Sequence, residues 1–79
     1  MRILITGGAG FIGSNFINYI IKKYPDIEII NLDELTYAGN LDNLKDVMHN
    51  ENYTFIRGNI CDMEIVSKAM QDCDVVVNF

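Results

Sequence analysis

Gly7, Gly8, Gly10 and Gly13 fall within seven positions of the segment TGGAGFIGS, residues 6 to 14. Two spacings overlap there: Gly8, Gly10 and Gly13 give G-x-G-x-x-G, while Gly7, Gly10 and Gly13 give G-x-x-G-x-x-G. Either suits a backbone that turns sharply from strand to helix and lets a diphosphate come close. An early glycine (Gly7 or Gly8) permits the turn, Gly10 leaves room for the pyrophosphate, and Gly13 lets the helix pack near the strand. The diphosphate would rest on the amides that open the helix at Phe11 and Ile12, where aligned peptide dipoles favour negative charge. Glycine-rich turns also join strands to helices with no ligand at all, so the spacing alone decides little. Asp33, in NLD, stands twenty positions beyond Gly13, the separation expected of the acidic residue in a β-α-β dinucleotide unit, about 20. A carboxylate there can accept both hydroxyl hydrogens of an adenine ribose and repel the extra phosphate of NADP, which makes NAD the expected cofactor. The alternative is a turn or capping carboxylate in DELTYAGN.

Asn59 and Ile60 follow another apolar run, in RGNICD. A loop at that point can face the adenine edge, Asn59 through its amide and Ile60 through its backbone, or it can be an ordinary turn leading into a helix cap at Asp62. Cys61 and Cys73 lie twelve positions apart and His49 is the one histidine, so neither a metal site nor a disulfide framework is indicated. His49 lies in the polar run MHNEN and takes no role.

The elements that must position these residues alternate. Residues 2–6, 27–32, 54–58 and 74–79 are short, rich in β-branched residues and nearly continuous in apolar character, as parallel strands covered on both faces are. Between the first two, residues 11–24 place Phe16, Ile17, Ile20, Ile21 and Tyr24 at helical spacing, with Asn15, Asn18 and Lys22 on the other side. Pro25 ends that helix. Asn40 is placed to cap a second helix carrying Leu41, Leu44, Val47 and Met48 on one side. Asp62 is placed to cap a third over residues 63–72, with Ile65, Val66, Ala69 and Met70 as its apolar stripe and Glu64 at the positive end of its dipole. The order β-α-β-α-β-α-β predicts a Rossmann-type, doubly wound parallel sheet with strand order 3-2-1-4 and a ligand crevice between strands 1 and 4, where the winding reverses.

With 79 residues the chain holds one domain at most. A net charge of -5 argues against nucleic acid, which wants clustered Lys and Arg. No run reaches the roughly 18 apolar residues of a membrane span, and the N-terminus lacks the features of a signal peptide, so a cytoplasmic location is the default. The last residues are an apolar strand without a closing loop, from which the chain is expected to be part of a longer protein.

TGGAGFIGSN, DELTYAGNLDNL and RGNICD together resemble the N-terminal part of the dTDP-glucose 4,6-dehydratases, which are extended short-chain dehydrogenase/reductases. The glycine stretch is shared across that superfamily, whereas LTYAGN is much more specific. The resemblance spans essentially the whole chain, which would be about a quarter of such an enzyme. It implies that Phe11 and Ile12 meet the pyrophosphate, that Asp33, Glu34, Leu35 and Thr36 surround the adenosine ribose with Tyr37, Ala38 and Gly39 continuing that wall, and that Asn59 and Ile60 flank adenine. Members often have Asp where Asn59 stands. The implied reaction is oxidation at C4 of dTDP-glucose by bound NAD, loss of water across C5 and C6, and return of hydride to C6. The implied assembly is a homodimer. Such chemistry needs a Tyr beside a Lys and an acid/base carboxyl pair. Tyr19 alone has Lys four positions later, at Lys23, but it sits on the first helix away from the expected nicotinamide and is assigned to packing. The catalytic residues are therefore expected beyond Phe79. An NAD-dependent epimerase or decarboxylase of UDP-sugars is the alternative within the superfamily, and a non-catalytic NAD-sensing module is the alternative outside enzymes.

Overall fold

The computed structural model describes residues 1–34 and 41–79. Four parallel strands, β1 (Arg2–Thr6), β2 (Glu28–Asp33), β3 (Tyr53–Arg57) and β4 (Val75–Asn78), form one sheet in the order β3-β2-β1-β4. This is the expected doubly wound arrangement, with strand boundaries displaced by a residue or so. Helix α1 (Phe11–Lys23) and the segment after β2 cover one face of the sheet, and α2 (Met63–Met70) covers the other.

Strand alternation sorts the side chains. Ile3 and Ile5 of β1 and Ile29 of β2 join Ile17, Ile20 and Ile21 of α1 in the larger core, and Leu4 and Leu32 meet Ala69 of α2 on the opposite side. Each such aliphatic side chain taken from water contributes about 1.5–3 kcal/mol before entropy is counted. The α1 face holds most of this apolar packing. Helix α1 ends at Lys23, and Tyr24 leaves the helical region at φ -126, ψ 81, as a residue preceding proline tends to.

The second helix is not an α-helix. A 3₁₀ turn spans Leu41–Leu44, and the ladder continues in steps of three, with Val47 N–H donating to Leu44 O at 3.0 Å and Asn50 N–H to Val47 O at 2.9 Å. In a 3₁₀ turn residues three apart eclipse, which puts Leu44 and Val47 into the core together while Met48 stays exposed. Asp42, Asn43 and Asp46 are poor helix formers, so little opposes that choice. The expected cap, Asn40, lies outside the described residues. Helix α2 is two residues shorter than expected. Its cap is as expected: the Asp62 carboxylate accepts from the N–H of Glu64 and of Ile65.

Asn18 and Tyr24 depart from the expected faces, Tyr24 lying exposed just past the end of α1. Asn18 is half-buried and its Nδ2 donates to Ser14 O and to Asn43 O, tying the helix to the segment after β2. Tyr19 is exposed and packs edge-on against Tyr24, with Lys23 Nζ donating to its hydroxyl at 2.8 Å. The expected packing role is thus a surface one, outside the core.

Candidate functional site: the crevice at the strand ends

The C-terminal ends of all four strands open on one cleft. Thr6 and Gly7 line it from β1, Leu32, Asp33 and Glu34 from β2, Gly58 and Ile60 from β3, and Asn78 and Phe79 from β4. Its volume is about 450 Å³ including the open mouth. It lies at the switch point between β1 and β4, where open α/β sheets take ligands. Thr6 Oγ1 donates to Asn78 Oδ1 across that switch point, joining the two diverging strands.

The glycine loop builds one wall, and Gly7, Gly8 and Gly13 each have a physical reason to be glycine. Gly7 has φ +74, a left-handed conformation that favours glycine. A Cβ on Gly8 would lie 2.3 Å from Asn31 Oδ1, and one on Gly13 would lie 2.6 Å from Gly7 O. Gly13 therefore lets the first turn of α1 rest directly on the loop. Gly10 is the residue before the helix, with extended backbone at φ -72, ψ 172.

The two helix N-termini differ in a way that matters for anions. Helix α2 has its amides answered by Asp62 and has Glu64 in its first turn. Helix α1 has no side-chain cap and no acidic residue in its first turn. Phe11 and Ile12, which open α1, are 76% and 70% exposed. Among the described residues the positive end of α1 thus carries neither a capping side chain nor a first-turn acid, the setting in which a helix terminus favours negative charge.

Side chains from neighbouring elements hold the loop from behind. Residues 31 and 33 of β2 point to the same face. Asn31 Oδ1 accepts from Gly8 N–H at 3.1 Å, and Asp33 Oδ2 accepts from Ala9 N–H at 2.8 Å. Asn43 Nδ2 donates to Ala9 O at 3.3 Å. Asp33 thus sits at the cleft and also holds the glycine loop, a contact that neither sequence reading included; residues 35–40 of DELTYAGN lie outside the described residues. On the far side Asn59 Nδ2 donates to Glu34 Oε1 at 3.2 Å while its Oδ1 accepts from Cys61 N–H at 2.7 Å. Glu34, Asn59 and the exposed Ile60 are brought together at the rim next to Asp33. Leu35, Thr36 and the rest of that wall lie outside the described residues.

Sequence reasoning missed Asn31, Asn43, Thr6 and Asn78. Asn31 carried a signal, a polar residue in the middle of the apolar run IEIINLD. The others did not stand out, because their partners are distant in sequence. Among the described residues no group of three or more His, Cys, Asp or Glu side chains comes together, and no helix is long and apolar enough to cross a membrane.

Parallel strands in this order, with a glycine loop feeding an uncapped helix and an acidic residue at the end of β2, make this a doubly wound sheet of the Rossmann type. The model of the family described as GDP-mannose 4,6 dehydratase matches residues 4–79. The chain belongs to that family. It is 48% identical over its whole length to the low-salt glycan biosynthesis protein Agl12 of Haloferax volcanii, of which it covers 25%. Among solved structures, dTDP-glucose 4,6-dehydratase from Bacillus anthracis in complex with NAD is similar at 48% identity and a TM-score of 0.94, covering 100% of this chain and 26% of that one. UDP-glucose 4-epimerase from Thermotoga maritima, solved with UDP-glucose, is similar at 32% identity and a TM-score of 0.81, covering 100% of this chain and 24% of that one. The chain spans about a quarter of the length of the curated relatives it matches.

Proposed function

We propose that this chain is the NAD-binding portion of a dTDP-glucose 4,6-dehydratase whose catalytic residues lie beyond Phe79. The observation that carries the reading is the pairing of an uncapped α1 terminus, without acidic residues in its first turn, with Asp33 across the glycine loop. One end suits a diphosphate and the other suits ribose hydroxyls. In this reading the amides of Phe11 and Ile12 hold the pyrophosphate, Gly7 makes the turn, Gly10 lets the pyrophosphate approach, Gly13 lets the helix pack close, Asp33 and Glu34 take the adenosine ribose together with Leu35 and Thr36, and Asn59 and Ile60 flank adenine. The acidic pair at the end of β2 disfavours a 2′-phosphate and so selects NAD over NADP. When bound, NAD supplies reversible hydride transfer, which the full reaction uses at C4 and again at C6 of the sugar.

The dehydratase is preferred over the UDP-sugar epimerase because the dehydratase structure agrees more closely in sequence and in backbone, and because LTYAGN is the more specific of the motifs. A homodimer in the cytoplasm completes the reading; both cysteines are free, in keeping with a reducing compartment. The test is to supply the full-length protein with dTDP-glucose and look for the 4-keto-6-deoxy sugar nucleotide. Its formation supports the assignment. Absence of product from dTDP-glucose and from other nucleotide sugars rejects it.

A further inference from the structure

Asn31 is fully buried in the middle of β2, where the alternation of the strand would suit another aliphatic residue. A buried amide is costly unless both its ends are answered. Here they are: Oδ1 accepts from Gly8 N–H at 3.1 Å, and Nδ2 donates to the hydroxyl of Tyr53, on β3, at 3.2 Å. The backbone donor settles which end is oxygen, because only Oδ1 can accept from an N–H. The contact is so close that a Cβ on Gly8 would lie 2.3 Å from Oδ1, so Gly8 and Asn31 fit each other as a pair.

We propose that Asn31 is a positioning residue for the diphosphate: by holding the Gly8 amide from behind, with its own orientation set by Tyr53, it fixes the glycine loop in the shape that receives the pyrophosphate. The inference rests on the NAD-binding reading above and assigns to a residue outside the cleft lining a share in the affinity. A loop with glycine at positions 7, 8 and 10 has many conformations open to it. If only a fraction of molecules hold the binding shape, the apparent dissociation constant rises by the inverse of that fraction. Asn31 raises the fraction before ligand arrives. It does not line the cleft and acts through the Gly8 amide, so its effect belongs to ligands that carry the diphosphate.

The experiment titrates nucleotide-free full-length protein with NAD, ADP and adenosine, the first two by calorimetry and adenosine by ligand-observed NMR. Asn31→Leu keeps the number of non-hydrogen side-chain atoms and the branch at Cγ, and removes the acceptor. Tyr53→Phe leaves Asn31 in place and removes only the hydroxyl that orients it. The expected result for Asn31→Leu is about tenfold weaker binding of NAD and ADP and less than about twofold change for adenosine. The same split, about threefold in size, is expected for Tyr53→Phe and decides the matter where Asn31→Leu does not fold. Equal loss for all three ligands, or no loss for any, overturns the positioning role and leaves the NAD reading standing. Failure of the unsubstituted protein to bind NAD overturns the NAD reading itself and this inference with it.

Discussion

At the scale of single residues, the site depends on contacts that glycine makes possible and on one carboxylate with two duties. A Cβ on Gly13 would meet backbone atoms of Gly7 and Gly8 that have nowhere to go, so Gly13→Ala is expected to destabilise the full-length protein by about 2 kcal/mol; chemical denaturation measures this, and an unchanged midpoint would contradict the packing described. Asp33 accepts from Ala9 N–H and faces the cleft, so Asp33→Asn keeps an acceptor for the loop but loses the charge. In the full-length protein NAD is expected to bind about tenfold more weakly and the preference over NADP to narrow, as read by calorimetry with both cofactors. The glycines and Asp33 were legible in the sequence because their spacing is set by local geometry along one β-α-β unit. Asn43, which reaches Ala9 O, was not, since nothing near residue 43 in sequence reveals what lies opposite it in space. In the sequence either glycine of the pair 7–8 could serve the turn; the structure gives the left-handed turn to Gly7 and sets Gly8 against the Asn31 amide.

Among elements, the strands and α1 followed from apolar periodicity, and the Asp62 cap from residue type. The segment after β2 did not. Its apolar residues at 41, 44, 47 and 48 satisfy a helical template as well as a 3₁₀ one, and the outcome is fixed by tertiary packing of Leu44 and Val47 against α1 and the sheet. Leu44→Ala removes a side chain that is wholly buried and is expected to cost about 3 kcal/mol, against about 1 kcal/mol for Asp62→Ala at the exposed start of α2; parallel urea titrations of the two variants compare them. Strand β3 contributes a pH response through Tyr53. Burial pushes this phenol above its ordinary value, opposed by the hydrogen bond with Asn31 and reinforced by the charge of Asp33. A proton held more tightly in the folded than in the unfolded state gives stability that is complete below the ordinary phenol value of about 10 and is lost as pH rises through the folded one. Tyr53→Phe is therefore expected to lose less stability than the unsubstituted protein between about pH 9 and 11, and parallel alkaline losses would remove Tyr53 as their source.

Across the whole molecule the two faces of the sheet are unequal. The α1 face is well packed, while beneath α2 the fully enclosed core is Leu4, Leu32 and Ala69, and Met63, Met70, Val75 and Val76 remain exposed. The chain spans about a quarter of the length of its curated relatives. Residues 1–79 by themselves are expected to bind NAD more weakly than the full-length protein does. The most direct measurement is a crystal structure of the full-length protein with NAD. The expected result places the diphosphate within about 3 Å of the Phe11 and Ile12 amides and the adenosine ribose on the carboxylate of Asp33. A dinucleotide lodged elsewhere, or a ribose turned away from Asp33, would contradict it.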